Sequence, residues 1–154
     1  MADPAPLQFG AADPGVRHRD RPAAFGVVER GGKLALVKVS KPGQAPWLDL
    51  PGGAIEPGES EAQAMEREFG EETGLVARAG EALTWADQYL RTTGGEAVNN
   101  RSVIFRAEAL SADPALKIEE DHELVWLEPL EAIRRLRHDS HAWGVLCWLR
   151  KTAA

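Results

Sequence analysis

Three glutamates spaced for one face of a helix are the residues of this chain that best fit metal chemistry. Glu68, Glu71 and Glu72 stand at i, i+3 and i+4, so an α-helix places their carboxylates side by side. Like charges at this spacing repel one another, and Gly70 beside them weakens a helix by about 1 kcal/mol relative to alanine. Carboxylate oxygens on a rigid helix are, however, ligands that Mg²⁺ and Mn²⁺ prefer, and a bound ion would relieve the repulsion.

The excess negative charge of the chain is confined to the same region. The chain has 18 Lys and Arg residues against 24 Asp and Glu residues, a net charge of −6. Residues 53–75 contain seven glutamates and one arginine and therefore hold the whole excess. Such a local carboxylate cluster favours divalent cations as partners. Because no basic stripe or arginine-rich patch accompanies it, a nucleic-acid partner is not expected.

The composition is typical of a globular protein and shows no membrane segment. Hydrophobic residues make up 44% and charged residues 27% of the 154 residues, which excludes intrinsic disorder. Apolar runs reach five residues at most, so no membrane span is expected. Cys147 is the single cysteine and cannot form an internal disulfide. Because the N-terminal sequence also shows no basic start or apolar core of a secretory signal, we expect a cytoplasmic protein.

The three glutamates fall in the strongest predicted helix, from about Ser60 to Thr73. Ser60 followed three residues later by Gln63 is a capping-box pattern, and Gly74 is typical of a C-terminal helix end. Apolar residues at helical spacing predict a buried face roughly a quarter turn away from the carboxylates. The helix should therefore be held by its apolar face and present the glutamates beside it.

Short apolar runs bounded by glycine and proline predict a mixed α/β domain. We predict strands at 25–29, 33–39, 47–50, 75–79, 83–90, 101–109 and 122–128, and two further helices at 129–137 and about 140–151. This order favours helices packed on a sheet. Residues 1–21, rich in Ala, Pro, Asp and Arg, are predicted to form an irregular arm, and residues 22–154 a single domain.

The spacing within residues 53–75 resembles the complete Nudix box, the signature of Nudix hydrolases. The family pattern is G-x5-E-x7-R-E-U-x-E-E-x-G-U, where U is a bulky apolar residue. This sequence has Gly53, Glu59 and then the run REFGEETGL from Arg67 to Leu75, so every fixed position is matched. The resemblance implies a Nudix-like αβα sandwich with a mixed β-sheet, an α/β or α+β fold, over residues 22–151.

The resemblance also implies an activity, the metal-dependent hydrolysis of a pyrophosphate bond in a nucleoside diphosphate linked to another group. The metal ligands that it implies for Mg²⁺, or for Mn²⁺, are Glu68, Glu71, Glu72 and the carbonyl of Gly53. It further implies that Glu59 and Arg67 pair and hold the loop and the helix together. Bound cations neutralise a diphosphate and lower the pKa of a bound water, so no covalent nucleophile is needed.

The general base has two candidate sources. Members of the family use either a glutamate of the box, here Glu71 in particular, or an acidic residue from a loop outside it. In this chain the acidic run 119–121 precedes a predicted strand and is the second source. We take Glu120 as the candidate catalytic residue of this loop, with Glu119 as its alternative. A solvated acidic loop without a catalytic role is the other interpretation of this run.

Four residues outside the box are candidates for substrate binding. Trp47 and Tyr89 could stack on a base or a ribose, since each presents an aromatic face with a polar tip. Arg91 and Asn100 flank a Gly-Gly loop between two strands and could hold a phosphate or a base. The alternative is a core or rim position for the aromatic residues and an ordinary loop role for the other two. The tryptophan-rich last helix could form a homodimer face, although core packing is the default.

Subfamily features leave the nucleotide open. A proline typical of ADP-ribose hydrolases is absent about fifteen residues after the box, and the extra motifs of NADH and coenzyme A hydrolases are absent too. The small size favours a MutT-like nucleoside triphosphate pyrophosphohydrolase acting on a small-molecule nucleotide. One alternative is an ADP-ribose or sugar-nucleotide pyrophosphatase. Another is a non-catalytic nucleotide-binding regulator, a class that usually has a degraded box. The four histidines show no metal-ligand spacing and no nucleophilic partner.

Overall fold

The structure, a computed structural model, describes residues 5–153. These residues form eight strands and three α-helices. The strands are β1 (Leu7–Phe9), β2 (Arg19–Arg30), β3 (Lys33–Val39), β4 (Trp47–Asp49), β5 (Gly52–Ala54), β6 (Leu75–Arg91), β7 (Ala97–Ala112) and β8 (His122–Leu127). The helices are α1 (Glu61–Thr73), α2 (Pro129–Arg135) and α3 (Asp139–Thr152), and a 3-10 turn covers Pro114–Leu116. None of these three helices is long and apolar enough to cross a membrane.

The strands form a mixed sheet, as the sequence predicts. β1, β6, β7 and β2 lie side by side, with β1 parallel to β6, β6 antiparallel to β7 and β7 parallel to β2. β5 pairs with β2, and β3 follows β2 and pairs with both β4 and β8. Val39 at the end of β3 is in register with Trp47 and with His122, so the ends of three strands meet there.

Side chains of the sheet alternate between two cores, one on each face. Along β2, Ala23, Phe25 and Val27 belong to the core that α2 and α3 close, whereas Ala24 and Val28 belong to the core that α1 closes. Helices therefore cover both faces of a mixed sheet. This αβα sandwich confirms the predicted fold class.

Helix α1 has the ends that the sequence predicts. The Ser60 hydroxyl accepts a hydrogen bond from the backbone N–H of Gln63, whose side chain accepts one from the backbone N–H of Ser60. Gly74 ends the helix with a φ of 76°, a left-handed conformation that glycine adopts without strain. Met65 and Phe69 are fully buried. Because their burial fixes the rotation of the helix, it also fixes the direction of the carboxylates.

The N-terminal segment is more regular than the irregular arm predicted for residues 1–21. β1 pairs in parallel with Ala86–Gln88 of β6, and β2 begins at Arg19. Residues 1–4 of the predicted arm lie outside the described part of the chain. The outer edge of β6 has unpaired backbone N–H and C=O groups, and residues 7–9 form a strand because they pair with them. A three-residue strand with largely exposed side chains has no hydrophobic alternation that could reveal it in the sequence.

Two further differences from the sequence prediction involve strands. The strands predicted at 75–79 and 83–90 are one strand, β6, in which register shifts against β7 between Val76 and Thr84 absorb the extra residues. β5 is missing from the prediction because Gly52 and Gly53 have no β-propensity. Its pairing with β2 comes from tertiary structure alone.

Two histidines at the start of α3 are buried among apolar side chains. His141 is 2% exposed, its ring lies 4.4 Å from that of Phe25, and its Nδ1 accepts a hydrogen bond from the Leu50 N–H at 3.1 Å. The ring of His138 lies 5.3 Å from that of His141. Burial lowers the pKa of both histidines to about 3, so both are neutral at pH 7. The bond to Leu50 ties α3 to the segment that leads into β5.

Candidate active site

Glycine at position 53 allows a carboxylate of α1 to lie against the backbone of β5. A Cβ atom at this position would stand 2.8 Å from the Glu68 carboxylate carbon and 3.0 and 3.1 Å from its oxygens, so any side chain would displace Glu68. This close approach brings the backbone of β5 next to the Glu68 carboxylate. Backbone and carboxylate oxygens together fit a divalent cation. Burial raises the pKa of Glu68, while the hydrogen bond from Arg67 acts in the opposite direction.

Glu72 is the most deeply buried of the three helix glutamates, with 6% exposure. Its Oε1 accepts a hydrogen bond from the Gly52 N–H at 2.9 Å, and its Oε2 lies 3.0 Å from His122 Nε2. Burial raises the pKa of Glu72, whereas the hydrogen bonds from His122 and Gly52 favour its ionised form. Hydrogen bonds of this kind orient the carboxylate ligands of metal ions. Glu72 is therefore held in a fixed position at the base of the site.

His122 at the start of β8 has carboxylates on both sides of its ring. Its Nε2 faces Glu72, and its Nδ1 lies 2.7 Å from Asp121 Oδ1. The pKa of His122 rises to about 9, mainly through the hydrogen bond to Glu72, so at pH 7 the ring is an imidazolium that donates from both nitrogens. Asp121 in turn pairs with Lys41. Sequence reasoning gave His122 no partner, and its place directly after an acidic run is the one signal that pointed to it.

Arg67 contacts Glu59 and also two of the helix glutamates. Its Nε and Nη2 donate to the two Glu59 oxygens at 2.6 and 3.0 Å, and Nη2 also donates to the Ala54 carbonyl at 3.1 Å. Its Nη1 donates to Glu68 Oε1 and Glu71 Oε2, both at 3.1 Å. These contacts, chiefly the one with Glu59, raise the pKa of Arg67. The guanidinium thus links the loop before α1, the end of β5 and the carboxylates of the helix.

Replacing Glu59 with glutamine should destabilise the protein. The Glu59 side chain is 15% exposed, and the change removes its charge from the paired contact with Arg67. Because hydrogen bonds to charged groups contribute about 1.5–3 kcal/mol, we expect a loss of about 2 kcal/mol in the free energy of unfolding, measured with urea in EDTA. Glu56→Gln is the control, since its carboxylate lies 3.9 Å from Arg67 and is 67% exposed. Equal losses in the two variants would contradict this role for Glu59.

The acidic loop before β8 is attached to the C-terminal turn of α1. The N–H groups of Ile118 and Glu119 both donate to the Glu71 carbonyl, at 3.0 and 3.1 Å. These bonds hold Glu119 close to the helix glutamates, where its charge contributes to the raised pKa of Glu68. The loop and the helix therefore form one acidic surface.

Within this loop Glu119 lies next to other side chains with ligand atoms, whereas Glu120, the candidate from the sequence, does not. Ligand atoms of Glu119, Asp121 and His122 lie within 4.8 Å of one another. Glu120 is exposed and lies outside this group. The backbone bonds of residue 119 to α1 account for the difference, because the position of the next residue in the loop is not held in the same way.

A cavity of about 230 Å³ is lined in part by His122, the residue that contacts Glu72. Its charged and aromatic lining residues are Arg21, Lys41, Trp47, Asp49, Arg91, His122 and Arg137. Two of the four predicted substrate-binding residues, Trp47 and Arg91, therefore line one cavity. His122 both contacts Glu72 and lines the cavity, so a single side chain separates this carboxylate from the cavity.

One wall of the cavity is fixed by three side chains in mutual contact. Trp47 Nε1 donates to Asp49 Oδ2 at 3.1 Å, and Arg137 donates to both Asp49 oxygens at 3.2 and 2.8 Å. The Arg137 guanidinium lies 4.5 Å from the centre of the Trp47 ring, a cation–π contact. One face of the indole is thus covered by Arg137, and a base can stack only on the other.

The remaining two predicted residues lie on opposite faces of the sheet. Asn100 in β7 is buried, and its Oδ1 has no hydrogen-bond partner among residues 5–153. Such an orphaned acceptor costs about 1–3 kcal/mol. Tyr89 packs against His18, with ring centroids 5.0 Å apart, and is not among the residues that line the cavity. The structure does not bring Tyr89 to the cavity.

Comparison with known proteins gives one family. The NUDIX domain family matches residues 18–149 of the chain. The CTP pyrophosphohydrolase of Escherichia coli (strain K12) is 30% identical over 109 residues, which cover 70% of this chain and 76% of the relative.

Solved structures show the same fold. A NUDIX hydrolase from Nitrosomonas europaea superposes with a TM-score of 0.71 at 24% identity, covering 86% of this chain and 90% of that chain. The MutT protein from Methanosarcina mazei Go1 superposes with a TM-score of 0.68 at 18% identity, covering 91% and 100%. Nudix hydrolases generally depend on a divalent metal, and the neighbouring carboxylates of Glu119 and Asp121 can hold one. Because the family match spans most of the chain and the box within it is unbroken, the chain belongs to the NUDIX family and is a Nudix hydrolase.

Proposed function

We propose that the protein is a divalent-metal-dependent nucleoside triphosphate pyrophosphohydrolase. The observation that carries this proposal is that the helix glutamates and a small cavity meet at His122. A diphosphate bound at the glutamates can therefore extend the rest of its molecule into the cavity. The cations that line the cavity suit an anionic substrate.

The proposed metal ligands are oxygen atoms of Glu68, Glu71, Glu72 and the Gly53 carbonyl, and Mg²⁺ or Mn²⁺ suits such a set. A bound divalent ion neutralises phosphate charge and lowers the pKa of a coordinated water. Neighbouring groups of the chain hold these carboxylates in position. The Gly52 N–H orients Glu72, and Arg67 holds Glu68 and Glu71 side by side although both are anions.

We assign the role of general base to Glu119, which would take up the proton of the attacking water. The residue is half-buried, and its backbone N–H is bonded to α1, so the carboxylate stays near the helix glutamates. A positioned base contributes about 10²–10⁴-fold to the rate. Glu120 is the second candidate from the loop, and Glu71 is the candidate within the box.

The size of the cavity favours a compact substrate. Its volume of about 230 Å³ is below the range of about 300–1,000 Å³ found for drug-sized ligands. One base or one sugar fits this volume better than a second nucleoside does. The free face of Trp47 offers a stacking surface, and Arg91 offers a cation. The name of the Escherichia coli relative makes CTP the first triphosphate to test.

The purified protein should convert a nucleoside triphosphate into monophosphate and pyrophosphate with Mg²⁺ or Mn²⁺, and it should be inactive in EDTA. The measurement is a substrate panel that contains the common triphosphates, ADP-ribose and nucleoside diphosphate sugars, with the products separated by ion-exchange chromatography. Turnover of ADP-ribose or of a sugar nucleotide, but of no triphosphate, would place the activity with that alternative. Binding of nucleotides without turnover of any of them would indicate a regulator.

A further inference from the structure

The segment that precedes β2 reaches the cavity and holds one of its lining residues. Arg91, at the end of β6, lines the cavity. Its Nε donates to Asp13 Oδ2 at 2.8 Å, and its Nη2 lies 2.7 Å from the same oxygen. Asp13 lies before the family match at residues 18–149. A residue outside the matched domain therefore contacts the wall of the cavity.

Several contacts fix the course of this segment along β6. Its first part, β1, pairs with the backbone of β6. Gly10 then turns the chain with a φ of 76°, and a Cβ atom there would stand 2.7 Å from the Tyr89 carbonyl oxygen, so only glycine fits. Further along, the ring of His18 packs against the ring of Tyr89. Because the chain is attached to β6 on both sides of Asp13, this carboxylate is held next to Arg91.

The turn between β6 and β7 belongs to the same wall of the cavity. Residues 92–93, directly after Arg91, also line the cavity. The far end of the turn is held by Glu96, whose two carboxylate oxygens accept hydrogen bonds from Arg19 of β2, both at 3.0 Å. The turn is thus held by Arg19 at one end and by Asp13 at the other.

Arg91 keeps N–H groups free for a ligand in the cavity. A guanidinium has five N–H donors. The contacts with Asp13 use two of them, and Nη1 donates a third to the Gly95 carbonyl at 2.8 Å, so two remain. A guanidinium that is held in this way loses less conformational entropy when a ligand binds than a free side chain does, so its remaining hydrogen bonds contribute more to affinity.

We propose that Asp13 is a positioning residue of the substrate site, which holds the Arg91 guanidinium where it donates to an oxygen atom of the bound nucleotide. This inference rests on the proposed function. Arg91 lines the cavity, whereas the proposed metal ligands belong to α1 and β5, so the contact contributes to binding of the nucleotide and not to the chemical step. We therefore expect the loss of Asp13 to raise KM and to leave kcat nearly unchanged.

The test measures kcat and KM with Mg²⁺ in the wild type, Asp13→Asn and Arg91→Gln, for the triphosphate of the substrate panel that has the highest kcat/KM. Asp13→Asn should raise KM about two- to fivefold, the range that an exposed ion pair supports. Arg91→Gln loses the donors themselves and should raise KM about tenfold. Because Asp13 acts through Arg91, the double variant should have the KM of Arg91→Gln, whereas a further rise would contradict the proposal.

Two variants serve as controls. Asp13→Glu keeps the carboxylate and should return KM to within about twofold of the wild-type value. Asp20→Asn removes the same charge from an exposed aspartate that pairs with Arg101 at 3.3 Å, and neither of these two residues lines the cavity. It should leave kcat and KM unchanged. A KM that rises equally in Asp13→Asn and Asp20→Asn would show a general effect of surface charge and would overturn the proposal.

A direct effect of the Asp13 charge on the substrate predicts the opposite change in KM. Asp13 is an anion close to a cavity that takes an anionic substrate, so its neutralisation would lower KM if its charge acted on the substrate directly. A KM in Asp13→Asn that is equal to or below the wild-type value would therefore overturn the proposal, while leaving the proposed function in place. Failure to hydrolyse any triphosphate would instead overturn the proposed function, and this inference with it.

Discussion

Glu72→Gln should lower kcat by several orders of magnitude and leave the protein folded. The substitution keeps the size of the side chain and the contact with the Gly52 N–H, but it removes the charge that a divalent cation requires. The lost interaction is strongest with the charge that develops in the transition state, so the loss should fall on kcat. Glu68→Gln should behave in the same way. Both variants should be almost inactive throughout pH 6–9.

Two measurements test the prediction for Glu72→Gln. Steady-state kinetics give kcat, and the melting temperature at increasing Mg²⁺ concentration reports metal binding. A ligand that binds only the folded state stabilises it by about 2.7 kcal/mol at one hundred times its Kd, and Glu72→Gln should abolish this gain. Glu61→Gln removes the same charge from an exposed position in the first turn of α1 and should keep both properties. A wild-type Mg²⁺ response in the Glu72 variant would remove this residue from the ligand set.

Lowering the pH from 7 to 5 should destabilise the protein by about 2–4 kcal/mol through His138 and His141. Their pKa values in the folded protein are about 3, against 6.5 for the free side chain. Below pH 6.5 the unfolded chain takes up protons that the folded chain excludes. The contribution is therefore complete above pH 6.5 and decreases towards pH 3, by about 1.4 kcal/mol per pH unit for each histidine.

The dependence of the unfolding free energy on pH is measured by urea unfolding in EDTA at several pH values. In His141→Asn the side-chain oxygen replaces Nδ1 as the acceptor for the Leu50 N–H, so the fold should persist. The variant has lost one titrating group, so its loss of stability between pH 7 and pH 5 should be smaller than the wild-type loss by about 1–2 kcal/mol. The Glu72–His122 pair also titrates, but it is present in both proteins and cancels in the comparison. If His141→Asn and the wild type showed the same dependence of stability on pH, His141 would be accessible to protons in the folded state.

The sequence was sufficient to locate the glutamates because the relevant information is local. Helical spacing places Glu68, Glu71 and Glu72 together, and the capping residues fix the ends of α1 within one residue. What the spacing could not show is the burial of Glu72 against His122. That contact depends on how β8 pairs with β3, and no local pattern encodes the packing of two segments about 50 residues apart.

The sequence predicts the cavity-lining residues less completely than the glutamates, for the same physical reason. Trp47 and Arg91 come to one cavity because β4 and the end of β6 approach each other in the folded chain. Tyr89 lies between these strand ends in sequence but packs against His18 and does not line the cavity. The irregular stretch in β6 decides which residues share a face, and its register shifts cannot be read from sequence periodicity.

Strand β1 covers backbone groups at one edge of the sheet. By pairing with Ala86–Gln88, it covers part of the outer edge of β6. An uncovered strand edge offers free N–H and C=O groups to any other extended chain, which is how sheets recruit neighbours into aggregates. A shortened chain that lacks Leu7–Phe9 would expose such an edge next to Trp85, which is 40% exposed. Although it lies before the family match at residues 18–149, this short strand pairs with backbone groups of β6 that would otherwise be open to another extended chain.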